Sequence, residues 1–191
     1  MSLEDVLNDP ICQPVAERYK VWFEFMKENI EFGLLDSIQH TKEHCARVLL
    51  LALIMGDKFG LNDEEMDALS MASIFHDSRR IDDWLDQGHG KRAAEYYKDY
   101  CYEHNMPFDL KAYYIMSYHD QDDDLGLLEI EKSPDLKENC ILLYKIFKDA
   151  DGLDRLRLGA KALNINMLRT EEAIKRVGFA KYLLEKVGSS Q

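Results

Sequence analysis

The sequence predicts an all-α fold, a compact helical bundle forming one domain over residues 1–191. Three observations carry this. Apolar side chains recur at helical spacing almost throughout the chain. Runs of β-branched residues are rare. No linker, repeat or biased segment divides the 191 residues, a length that suffices to bury one core.

The elements follow in order. A first helix spans about Val15 to Ile30, with Pro14 just ahead and Val21, Trp22, Phe25 and Met26 on one side. Trp22, Phe23 and Phe25 read as core rather than cofactor contacts. A second helix runs from about Ser37 to Met55 and stops near Gly56. Asn62 or Asp63 caps a third, whose apolar positions are Met66, Leu69, Met71, Ile74 and Phe75. It ends at His76-Asp77, and a polar stretch from Ser78 to Gly90 follows. A fourth helix covers Lys91 to Glu103 and a fifth Leu110 to Tyr118. Asp120 to Gly126 reads as a solvated acidic loop. Pro134 opens a long sixth helix that runs through Ala150. The last begins near Thr170, where Glu171 and Glu172 suit a positive helix N-terminus.

Composition narrows the function. With 36 acidic and 24 basic residues the formal charge is −12, which argues against extended nucleic acid and a polybasic membrane anchor. A local site for an anionic small molecule stays compatible with that balance. The longest apolar run, Val48 to Met55, is far short of a membrane span, and the N-terminus has no signal-peptide pattern. Cys12, Cys45, Cys101 and Cys140 form no C-x-x-C pair, so we expect reduced thiols in a cytoplasmic protein.

Six histidines occur, and their placement says more than their number. His44 lies within an amphipathic helix, His76 is followed at once by Asp77, His89 sits between two glycines, and His119 closes a helix. Asp151 lies just beyond the apolar run Ile141 to Phe147. Imidazole and carboxylate suit Fe, Mn, Zn or Co rather than Ca. A carboxylate can bridge two ions where an imidazole cannot, which makes Asp77 the natural bridge. Read alone, His89 is a turn residue and His119 a helix C-terminal imidazole favoured by the dipole. His40 precedes His44 by one turn and suits a supporting or substrate contact; His104 has no assigned role.

These residues resemble the H…HD…D signature of the HD-domain superfamily of metal-dependent phosphohydrolases. His44-Cys45-Ala46-Arg47-Val48 resembles its H-x-x-R-V stretch. Ala72 to Asp77 resembles A-x-L-F-H-D, and Ala150-Asp151-Gly152-Leu153-Asp154 resembles A-D-x-L-D. The resemblance covers about residues 38–158, with flanking helices on either side. Gly88-His89-Gly90 and the Ile115 to His119 stretch are similar to the two extra histidines of its binuclear branches. The resemblance implies that His44, His76, Asp77 and Asp151 hold one divalent ion. It implies that His89, His119 and the bridging Asp77 hold a second. The ions would be one or two of Fe, Mn, Zn, Co or Mg.

Many relatives place Lys three residues after the Asp of the HD pair, and here that position is Arg80. Arg80 is therefore a candidate for phosphate binding and charge stabilisation, against the plainer reading of a surface ion pair with Asp82 or Asp83. Lys91 is a further substrate-binding candidate, with Arg92 beside it. Asp120 is a candidate proton carrier. No phosphate loop, nucleophile elbow or complete EF-hand is present, which removes support for kinase, dehydrogenase or calcium-binding readings. The implied activity is hydrolysis of a small phosphate ester or nucleotide by metal-activated water. An HD-type di-iron oxygenase and a metal-binding regulatory module are the alternatives. Metal identity, substrate and oligomeric state stay open.

Overall fold

A computed structural model describes residues 6–34, 42–136, 139–159 and 161–187. Among them are eight α-helices and no strand. They are α1 (Ala16–Asn29), α2 (Lys42–Phe59), α3 (Asp63–Phe75), α4 (His89–Glu103), α5 (Leu110–Tyr118), α6 (Asp123–Lys132), α7 (Cys140–Asp154) and α8 (Glu171–Val187). Short 3-10 turns cover Gln13–Val15, Arg155–Leu158 and Ile165–Met167.

The bundle is built around α2, in which every residue from His44 to Gly56 is buried. A helix apolar on all sides must be enclosed on all sides. Accordingly α1, α3, α7 and α8 all pack against α2. Leu49, Leu50, Leu51, Leu53 and Ile54 are almost wholly buried, each contributing about 1.5–3 kcal/mol of burial free energy. The start expected near Ser37 and the whole of His40 fall outside the described residues, and the helix continues past Gly56 to Phe59.

The starts of α3 and α5 are locally encoded. The Asn62 side chain accepts from Glu65 N–H and the Glu65 carboxylate accepts from Asn62 N–H, a reciprocal capping box. Asp109 caps α5 by accepting from Lys111 and Ala112 N–H. In α1, Tyr19 and Met26 are the buried residues, while Val21 is exposed rather than on the core side. Trp22, Phe23 and Phe25 pack against the core from its margin.

Two expectations fail between residues 120 and 140. The stretch expected as an acidic loop is largely the first turn of α6. Asp123 and Asp124 favour the positive end of that helix, and Leu127 and Ile130, three residues apart, face the core. Gly126 is required there, because a Cβ would overlap the Tyr144 ring. The helix expected from Pro134 starts at Cys140 and reaches Asp154; Pro134 sits in a turn instead.

Asp123 also ties α6 to α7 and to the segment leading into α8. It accepts two hydrogen bonds from Arg169 at 2.7 and 2.8 Å and pairs with Lys148 at 2.9 Å. Asp149, fully buried, accepts from the backbone N–H groups of Arg169 and Thr170 and from the Thr170 hydroxyl. This fixes the start of α8 where Thr170 caps it. Burial works to raise the Asp123 pKa, but Arg169 and Lys148 outweigh it and hold the carboxyl below its ordinary value. A depressed carboxyl stabilises the fold above its unfolded pKa of about 3.9 and loses that contribution as pH falls through the folded value. We therefore expect Asp123→Asn to lower the urea midpoint at pH 7, with the gap to wild type closing in acid. A gap independent of pH would contradict the ion-pair account.

Candidate metal centre

Helix ends deliver the site. His44 is in the first turn of α2, and His76 is the residue that ends α3, with Asp77 next to it. His89 opens α4, His119 ends α5, and Asp151 lies in the last turn of α7. Gly88 makes the α4 start possible: its φ of 85° is a left-handed conformation, and its N–H donates to Asp120 at 2.6 Å. Gly90 lets α4 approach α5 closely, because a Cβ there would overlap Met116 O and lie 2.8 Å from His119 Nδ1.

These ends converge on Asp77, which is buried with its two oxygens facing different partners. Its Oδ2 lies 3.5 Å from His44 Nε2 and 3.8 Å from His76 Nε2. Its Oδ1 lies 3.1 Å from His89 Nε2 and 3.8 Å from His119 Nε2. Asp151 Oδ1 joins the first group at 3.3 Å from His44 Nε2. The structure thus makes two donor groups, His44–His76–Asp77 and Asp77–His89–His119, each compact enough to hold a metal ion.

The tautomers follow from the other ring nitrogens. His76 Nδ1 donates to Ser73 O at 2.9 Å, His89 Nδ1 to Asp86 O at 2.6 Å and His119 Nδ1 to Met116 O at 2.7 Å. A carbonyl can only accept, so each ring carries its proton on Nδ1. His44 Nδ1 faces the Asp154 carboxylate at 2.7 Å in the same way. In the neutral rings every Nε2 is then left with a lone pair directed inward. His44 and His76 meet Nε2 to Nε2 at 3.1 Å, and His89 and His119 at 2.9 Å. Facing lone pairs at that distance repel unless a cation or a shared proton lies between them. The donor set and its orientation fit divalent ions of the imidazole-carboxylate preference. Burial drives the His76 pKa down to about 3, which keeps that ring in the neutral, ligating form at neutral pH.

Asp154 stands at the end of the A-D-x-L-D stretch, which by itself gives it no role. It is buried, accepts from His44 Nδ1, and takes two hydrogen bonds from Arg47 at 2.6 and 3.0 Å. Such a carboxylate orients the imidazole and strengthens it as a donor. The signal was present: Arg47 stands three residues after His44, and Asp154 three after Asp151, so each pair shares a helix face.

Arg80 is buried rather than a surface partner of Asp82 or Asp83. Its Nη1 lies 3.6 Å from Asp77 Oδ1 and almost equally far from both His89 ring nitrogens, 3.2 and 3.1 Å. It therefore faces the ring without lying in line with the Nε2 lone pair. Asp120 and Arg80 both line a cleft beside the cluster, and Asp120 Oδ2 lies 3.5 Å from His89 Nδ1. Lys91 does not join the cluster. It pairs with Glu95 at 3.0 Å and with the Tyr113 hydroxyl, away from the cleft that Asp77 and Asp151 line. Arg92 is committed to Asp86 and Arg79 stacks over Tyr96, so neither points to the centre. His104 stacks on Tyr100. Cys45 is buried, and its Sγ reaches within 3.9 Å of His76 Nδ1.

Because Asp154 acts through His44, Asp154→Asn should weaken divalent-metal affinity by about 10- to 100-fold while the far-ultraviolet circular dichroism stays helical. Titration against a chelating dye reads the change. An unaltered affinity in a folded variant would contradict that role.

The family model for the HD domain matches residues 41–156, well over half of the chain, and that span contains all six converging residues and both supporting ones. No curated protein and no solved structure matches the chain. Among the described residues, no helix is long and apolar enough to cross a membrane. The helical architecture, the His/Asp cluster and the family match agree: the chain belongs to the HD domain family, within a superfamily of metal-dependent hydrolases.

Proposed function

We infer that the protein is a phosphohydrolase that binds two divalent ions and acts on a small phosphate ester, a nucleotide foremost. The observation that carries the reading is the two-faced Asp77 carboxylate, set between two pairs of inward-facing imidazoles. Divalent ions on such ligands supply a nucleophilic water at neutral pH and a positive field for phosphate oxygens.

The chain's own groups fit the rest of the task. The cluster opens into a cleft of about 800 Å³, within the range of small-ligand sites. Asp151 is the ligand on the open side, with its side chain 30% exposed. The Arg80 guanidinium is fixed by Trp84 O at 2.7 Å and Asp82 O at 3.3 Å, so it is preorganised to hold charge that develops on a phosphoryl oxygen beside Asp77. Burial acts to raise the Asp120 pKa, but the neighbouring His119, Gln121, His89 and Gly88 N–H outweigh it and keep the carboxyl low. Asp120 is thus a carboxylate at neutral pH, suited to take the proton of an attacking water as the P–O ester bond breaks. The proton then passes to the departing oxygen. Lys91 has no part in this reading. The net charge of −12 favours a small substrate over a polynucleotide.

Asp77→Ala should lower turnover of p-nitrophenyl phosphate and of nucleoside monophosphates by roughly a thousandfold or more, about 4 kcal/mol of barrier. Chelation should do the same to wild type, with recovery on adding Mn, Co or Zn. Turnover should persist without O₂, which separates hydrolysis from an oxygenase built on the same ligands. Full activity in a folded Asp77→Ala protein would rule the reading out.

A further inference from the structure

The cleft has two features that the metal centre does not use. The first is Trp84, whose residue surface is 83% exposed although it lines the same cleft as Asp77 and His119. Its backbone is held firmly. Trp84 N–H donates to the Asp82 carboxylate at 2.7 Å, and Trp84 O accepts from Arg80 at 2.7 Å and from Asp86 N–H at 3.0 Å. Asp86, itself buried, accepts from Ile81 N–H and from Arg92. An anchored backbone thus holds an indole in water, where its apolar faces gain nothing. Because Arg80 also faces His89 and Asp77 Oδ1, Trp84 adjoins the His89–His119 half of the cluster.

The second feature is Arg155. It follows Asp151 by four residues, one helical turn, and so adjoins the His44–His76 half. It is exposed and lines the same cleft. Among the described residues it has no carboxylate partner, and its Nε donates only to Ala162 O at 3.3 Å. Lys148 and Arg169, also in the cleft, are instead committed to Asp123. An uncompensated guanidinium one turn from a ligand carboxylate, in a strongly acidic protein, suits a bidentate grip on phosphate.

We propose that Trp84 and Arg155 are the specificity-determining residues of this site: Trp84 stacks on the planar base of a nucleoside phosphate, and Arg155 grips its phosphate. The proposal rests on the reading of the site as one that binds a phosphate ester, and adds which groups select it. Every base presents a π face, so stacking recognises a nucleotide without fixing which base it carries.

The test uses calorimetric titration of the full-length, metal-loaded protein with the four nucleoside 5′-methylenephosphonates. In these a P–C bond replaces the P–O bond, so nothing turns over. The methylenephosphonate counterpart of ribose 5-phosphate is the baseless control. Wild type should bind at least one nucleoside compound about tenfold or more tightly than the control. Trp84→Ala should remove that preference, weakening the nucleoside compound about 5- to 100-fold and leaving the control unchanged. Arg155→Gln should weaken both compounds together. Equal affinity for nucleoside and control in wild type, or an undiminished preference in Trp84→Ala, would overturn the role of Trp84. A loss restricted to the nucleoside compound in Arg155→Gln would overturn the role of Arg155. A change of oligomeric state in Trp84→Ala with ligand affinity intact would make the indole an interface residue and overturn the proposal. Asp77-dependent hydrolysis, assayed separately, can fail while this pattern holds, and this pattern can fail while hydrolysis holds.

Discussion

Four imidazoles in the core each give their Nδ1 proton to a carbonyl or carboxylate, and that commitment turns every Nε2 lone pair toward one buried carboxylate. Buried polar atoms ordinarily find partners, and lone pairs cannot partner one another. The arrangement is costly to the fold unless positive charge enters the space between the rings. Helix ends set the ring orientation with the fewest further demands: a residue at a terminus finds a backbone acceptor three positions earlier, as at Ser73, Asp86 and Met116 here. The same local geometry recurs at three helix ends, so the tautomer is set by the backbone and not by chance packing.

What holds those ends together is unevenly distributed. The His44 half is braced by a buried charged pair, Arg47 with Asp154, packed against the wholly buried helix α2. The His89 half depends on close backbone approach through Gly88 and Gly90 and on a loop held by Arg80 and Asp86. The first half is a product of the core; the second is a product of turns. Asp77 belongs to both, which makes it the residue whose loss damages each half at once. The cleft inherits this division, with an anchored indole beside one half and, beside the other, a guanidinium that has no carboxylate partner among the described residues.

Much of this was legible in the sequence because the chemistry is written in neighbouring residues. His76 with Asp77, and His89 between glycines, are local patterns that survive without any knowledge of packing. Most helices were legible for the same reason, through apolar spacing and a cap such as Asn62; the Asp109 cap of α5 was not among them. Helix α6 was not. Its first turn is a run of aspartates whose charge reads as solvated loop, and its anchor is Arg169, distant in sequence. The fate of the cations was hidden for a similar reason. Lys91 and Arg80 look alike in sequence, but one finds Glu95 and Tyr113 on its own side of the fold while the other is turned inward under Trp84. Exposure of an indole on an anchored loop is a tertiary fact, and no spacing rule reports it.

Two cations shared through Asp77 would answer the facing lone pairs. Elemental analysis of metal per chain, on protein purified without added metal or chelator, tests it most directly when wild type is compared with His89→Ala. Two ions per chain are expected in wild type and one in the variant, with the helical content of both alike. One ion in both proteins, or none in wild type, would contradict it.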